Sequence, residues 1–338
     1  MSRRDLLSDR ERQLLFGVPT ERDAMARFYT LDRADLDLVA ARRGPANQLG
    51  VGVLLALLRH PGLAATMLWP PPVELVAYLA EQIGTTPDVL AGYARRPQTL
   101  TDHALDLAGS LGLRPPTSND VPFMIKAAAD AAWGTDQGLA IVRGIVAALR
   151  AEQVILPTPG MIERAGIAGR ARARKRAAAA LLDGLSPDQI EKLDGLLTVD
   201  SAIRLSRLAW VKDVPVSLTP DHVRELLDKL HFVREIGIGP DAATRLHENR
   251  FRQFAKEGRT SLAYLIDRYT PARRRATMAA LLIDFEPRLA DAAIEMADKL
   301  IGNAFTRAKN KQERRYAGTT RDVGRLMRMF RGTIDALV

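Results

Sequence analysis

Five times along this chain a hydroxyl residue directly precedes proline: Thr86-Pro87, Thr158-Pro159, Ser186-Pro187, Thr219-Pro220 and Thr270-Pro271. Each pair is a helix start. The hydroxyl can accept from orphan backbone amides, and proline at the first helical position needs no donor and presets φ. Ser8-Asp9-Arg10-Glu11 adds a capping box, and Ser186-Pro187-Asp188-Gln189 forms a second. Between such starts run stretches with apolar residues three and four apart, as at Val223, Leu226, Leu227 and Leu230. Alternating strand patterns are missing, Phe232–Ile236 being the single short candidate. The fold class expected is all-α, a multi-module helical protein of a dozen or more helices.

A length of 338 residues suggests two or three domains, and 47% apolar residues suffice for cores. Two proline-rich polar stretches, 114–122 and 214–220, read as joints. They divide the chain into a first module over 1–113, a second over 114–213 and a third over 214–338. The longest wholly apolar run without glycine, Val53–Leu58, is far short of a membrane span of about 18 residues. Without cysteine there are no disulfides or thiolate metal sites, which fits a reducing bacterial cytoplasm. No signal peptide is evident, so no membrane partner is expected.

The net charge of +9 is unevenly spread. Residues 1–110 hold 12 Lys/Arg against 13 Asp/Glu, whereas 156–183 hold 6 against 2 and 231–283 hold 10 against 5. Such islands favour a polyanionic partner. The densest is Arg164–Arg176, with Arg164, Arg170, Arg172, Arg174, Lys175 and Arg176 and no acid. Thr158-Pro159 starts this helix and Asp183-Gly184 stops it. Ile167, Ala171, Ala178 and Leu182 share one face, and the cations fan around the rest, Arg174 near the middle of the apolar stripe. Either the helix is a solvated surface with snorkelling stems, or its missing counter-ions are nucleic-acid phosphates.

The first module holds a helical hairpin. Asp32 caps a helix with Leu36, Val39 and Ala40 on one side, which ends at Arg42-Arg43-Gly44. After Pro45 a second helix points Leu49, Val53, Leu54, Leu57 and Leu58 inward, and close packing would account for Gly50 and Gly52. With Arg42, Arg43, Asn47 and Gln48 at its tip, the hairpin has the outline of a DNA-binding helix-turn-helix. In the third module Arg250 and Arg252 accompany Phe251 and Phe254, read as core, and Arg273, Arg274 and Arg275 follow a helix start whose amides suit phosphate. The basic run from Arg307 to Arg331 reads either as a DNA contact or as a connection onward.

Several spaced blocks resemble the N-terminal region of transposases of the replicative Tn-three family. They are Tyr29-Thr-Leu31, Arg42-Arg-Gly44, Asn47, Leu49-Gly50, Leu57-Leu-Arg59 and Pro61-Gly62, then Tyr93, Arg96, Thr99 and His103. Thr135-Asp136-x-Gly138, Ile155-Leu-Pro157, Ile162-x-Arg164, His247-x-Asn249-Arg250, Gly258 and Arg273-Arg274-x-Ala276-Thr277 continue in register. The resemblance implies recognition of double-stranded DNA at the transposon's terminal inverted repeats, and adds Arg96 to the candidate contacts. It allows an intact transposase or a second copy of the chain as further partners. Thr101-Asp102 departs from the charged pair that family members often carry before His103. Family transposases also continue into a ribonuclease-H-like core with three metal-binding carboxylates, beyond the length of this chain.

No catalytic chemistry is expected. The five histidines include no i,i+4 pair, and Gly237-Ile-Gly239-Pro-Asp-Ala242 lacks the βαβ setting of a dinucleotide site. No metal site and no cofactor are expected either. The expected function is sequence-specific duplex binding in a nucleoid-associated, cytoplasmic bacterial protein: the hairpin reads bases, while 170–176 and 250–275 grip the backbone. The alternative is a helical interaction scaffold with incidental basic surfaces.

Overall fold

A computed structural model describes residues 6–94, 97–200 and 204–335. The described residues are all-α, with one short antiparallel ribbon, and divide into two compact units, Met1–Ala177 and Ala178–Val338. The first unit contains α1 (Asp9–Phe16), α2 (Arg22–Tyr29), α3 (Arg33–Ala40), α4 (Pro45–Arg59), α5 (Val73–Ile83), α6 (Pro97–Ser110), α7 (Asp120–Ala131) and α8 (Gly138–Ala151). The unit boundary falls inside α9 (Pro159–Leu182). The second unit continues with α10 (Pro187–Gly195), the ribbon β1 (Val199–Asp200) and β2 (Leu205–Ser206), and α11 (Arg207–Lys212). It ends with α12 (Pro220–Ile236), α13 (Asp241–Thr244), α14 (Glu248–Thr260), α15 (Ala263–Asp267) and α16 (Pro271–Asp335).

The start signals work as their chemistry dictates. Ser8 and Ser186 form complete capping boxes, as does Asp32 with Asp35, and Thr219 accepts from the His222 amide. Thr86-Pro87 starts only a 3-10 turn, Pro87–Gly92, without a side-chain cap. Phe232–Ile236 is no strand. It completes α12, which stops at Gly237 with φ +74°.

Two apolar clusters fill the first unit. One surrounds α4, buried at every residue from Leu49 to Leu58, with Met25, Tyr29, Val39, Leu75 and Leu79 against it. Gly50 faces the Tyr93 ring and Gly52 faces Ile83, leaving no room for a methyl at either position without a shift. Arg59 grips the buried carboxylate of Asp35, tying α3 to α4. The other cluster joins Phe16 of α1, Met124 and Ala128 of α7, Ile141, Ile145 and Leu149 of α8, and Ile162, Ala165 and Ala173 of α9. Arg12 holds Glu163 at 2.6 and 2.9 Å across it.

The inward face of α9 is not the stripe read from the sequence. Of that stripe only Ala178 is buried: Ala171 is exposed and Ile167 and Leu182 are only half-buried, whereas Ile162, Ala165, Gly169, Ala173 and Ala177 turn in. Gly169 lies against Ala128, the Ala129 amide and the Ile125 carbonyl of α7. Small residues four apart admit a neighbouring helix backbone, so close approach rather than side-chain size selects the face.

In the second unit α12 and α14 flank the first third of α16. Leu226, Leu230, Val233, Phe254, Ala255, Met278, Leu281 and Leu282 are buried. Gly258 of α14 sits against Leu281 and the Thr277 carbonyl. From residue 301 to 334 α16 is exposed throughout.

Candidate nucleic-acid interface

The hairpin tip is built from its own amides. Gly44, with φ +86°, supplies the left-handed residue that lets α3 turn into α4. The Asn47 side-chain amide donates to the Arg43 carbonyl at 2.9 Å, and that of Gln48 to the Arg42 carbonyl at 3.1 Å. These two candidate base readers therefore close the turn. Arg42 is half-buried, 3.5 Å from Asp106, while Arg43 is exposed. A recognition helix must present a face to a groove, and α4 is buried on every side beyond its first turn. Arg96 lies outside the described residues.

On α9 the cations sort into three kinds. Arg174 makes a bidentate pair with Asp136, its closest contact 2.5 Å, and Arg176 lies 3.4 Å from Asp130 and 4.2 Å above the Trp133 ring. Arg170 is half-buried; burial first, then Arg174, pushes its pKa down against the opposing pull of Asp136. Arg164, Arg172 and Lys175 are exposed and bond no carboxylate among the described residues; Arg164 donates only to the Gly160 carbonyl at 3.2 Å. Exposed Lys126 of α7, whose backbone packs on Gly169, adds a cation that charge counting along the sequence passed over.

The second-unit arginines singled out in the sequence, those before the exposed run from Arg307 to Arg331, are spoken for. Arg250 is 1% exposed and donates to the Gln253 side chain at 2.6 Å, inside the unit and away from any solvent-borne phosphate. Exposed Arg252 pairs with Glu248 one turn back. Arg273 meets Glu257 and stacks 3.9 Å from the Tyr269 ring. Arg275 holds Asp194 at 2.6 Å, and Arg274 lies 3.3 Å from Asp267 and 3.7 Å from Asp194. Arg275, foremost, keeps the Asp194 carboxyl below its ordinary range. Asp194 is 81 residues from Arg275, so nothing local in the sequence announces the pair. Among the described residues no three carboxylates, histidines or cysteines converge as metal ligands, and no helix is long and apolar enough to cross a membrane.

A domain of unknown function, DUF4158, matches residues 6–169. The chain is 30% identical over 338 residues to the transposase for transposon Tn3926 of Escherichia coli, covering 100% of this chain and 34% of that protein. The transposase for transposon Tn501 of Pseudomonas aeruginosa is 29% identical over the same 338 residues, again with 34% of its length covered. The transposase for transposon Tn1546 of Enterococcus faecium is 26% identical over 312 residues, 92% of this chain and 32% of its own length. The chain thus spans about a third of the length of the relatives it matches. Along its whole length it is similar to these transposases.

Proposed function

We propose that this chain binds double-stranded DNA and recognises the terminal inverted repeats of a transposon, as the N-terminal part of a transposase and without cleavage chemistry of its own. The observation that carries the reading is the outer side of α9: Arg164, Arg172 and Lys175 stand exposed with no carboxylate bonded to them among the described residues. Unmatched cations on one face of a folded protein are the condition for releasing counter-ions from a phosphate backbone. The kinship with transposases supplies the kind of duplex. The same reading places the protein on the bacterial nucleoid, with an intact transposase or a second copy as the partner it meets there. Its division of labour follows three stretches, 1–113, 114–213 and 214–338.

Selection from a randomised duplex pool tests the reading. The chain should enrich one motif, and that motif should occur at both ends of the element that encodes it. Affinity should fall steeply between about 50 and 200 mM salt, and Arg164→Ala and Lys175→Ala should each lower the slope by about one unit. A pool that never converges, with a shallow salt dependence, would return the chain to a helical scaffold with incidental charge.

A further inference from the structure

The exposed row on α9 is more than a set of phosphate anchors. Between Arg164 and Lys175 the outward positions are Arg164, Ala168, Ala171, Arg172 and Lys175, so every outward residue there is either a long cation or alanine. The opposite side, through Ala165, Gly169 and Ala173, is packed on α7 and α8, which fixes the rotation of the helix about its axis. Arg174 and Arg176, at the C-terminal end of the row, are anchored to Asp136 and Asp130. The helix therefore presents a narrow, shallow ridge with cations at fixed positions and methyl groups between them.

A B-form major groove is about 12 Å wide, and a helix with its side chains is about 10–12 Å across, so a ridge of alanines seats deeper than a ridge of larger residues. Arginine in that position can meet guanine O6 and N7 with two parallel hydrogen bonds, and alanine methyls can pack on thymine methyls. The hairpin tip offers exposed Arg43 but no such ridge. Asn47 and Gln48 each commit their amide nitrogen to a carbonyl of the turn, and α4 is enclosed from Leu49 to Leu58. We infer that α9, not the α3–α4 hairpin, is the base-reading element, entering the major groove along Arg164–Lys175 with Arg172 as its specificity-determining residue. The inference rests on the duplex-binding reading above and reassigns the roles within it.

The test compares variants of the full chain on the selected motif and on random duplex. Arg172→Ala should narrow the ratio of motif to random affinity by about 10- to 100-fold, a loss larger than one phosphate contact produces. It should also remove protection of one guanine N7 from methylation by dimethyl sulfate. Ala168→Leu and Ala171→Leu, at exposed positions that leave the core untouched, should abolish the motif preference while random-duplex binding persists. Asn47→Ala with Gln48→Ala should leave the motif unchanged. The reverse pattern, with a relaxed motif in the hairpin double variant and α9 variants that weaken all duplexes equally, would overturn the assignment while duplex binding stands. Wild-type chain that binds no duplex at low salt would remove the duplex-binding reading and this assignment with it.

Discussion

Two arginine clusters, 164–176 on α9 and 273–275 at the start of α16, look alike as strings of residues and end in opposite states. At the start of α16 each arginine finds acid: Glu257 for Arg273, Asp267 and Asp194 for Arg274, Asp194 for Arg275. On α9 only Arg174 and Arg176 are so engaged, and Arg164, Arg172 and Lys175 are left facing water. The cluster on α16 fastens a helix start to the neighbouring α10 and α14; the cluster on α9 leaves charge available to a partner. Net charge along a sequence window does not separate these states, because pairing is decided by residues far away in the chain. What identifies a polyanion surface is the charge that remains after folding has paired the rest.

The largest effect should come from taking the acid away from the paired cluster. Asp194→Ala leaves Arg274 and Arg275 without their shared carboxylate. A fully buried pair broken in this way costs about 3–5 kcal/mol; Asp194 and Arg275 each keep 32% of their side-chain surface in water, so about 2 kcal/mol is expected. Urea unfolding measures it, and a loss below about 0.5 kcal/mol would class the pair with exposed surface bridges.

A smaller effect of the same origin should appear with acid. Arg275, then the Arg274 charge, holds Asp194 below its usual value of 3.8, opposed by burial. A carboxyl lowered by folding contributes stability that is present above the unfolded value and is lost as the pH falls through the folded one. Stability should therefore decline below about pH 4, and Asp194→Asn should remove that part of the decline. Profiles of wild type and variant that stay parallel throughout would show that Asp194 is not the group responsible.

The smallest effect on stability comes from supplying α9 with the acid it lacks. Ala168→Glu sets a carboxylate four residues before Arg172 on the exposed face, an arrangement that stabilises a helix by about 0.3 kcal/mol. Melting should barely move, while the salt slope of DNA binding should fall by about one unit. An unchanged slope would mean that this face of α9 lies away from the phosphate backbone.

The helix starts that carry a capping side chain were legible because caps act within one turn, whereas α5, α7 and α8 begin without one. Ser8, Asp32, Ser186 and Thr219 need only neighbours three residues away to do their work. Gly50 and Gly52 were legible for a related reason: a glycine pair inside an otherwise strong helix is unfavourable unless something presses against it, and Tyr93 and Ile83 do. The inward face of α9 was not, since hydropathy weights Ile167 and Leu182 over the alanines and glycine that α7 actually touches.

Sequence alone thus determined the all-α class, the capped helix starts, the basic islands and the resemblance to transposases, all of which are properties of residues near one another or of aligned blocks. Tertiary structure alone decided which cations remain. Arg250 entered a core, Arg275 met an aspartate 81 residues away, Asn47 and Gln48 closed their own turn, and Arg172 stayed in water. The reason is physical. A hydrogen bond within one helical turn is set by local geometry, whereas an ion pair between helices exists only once packing has brought their side chains within about 4 Å of each other.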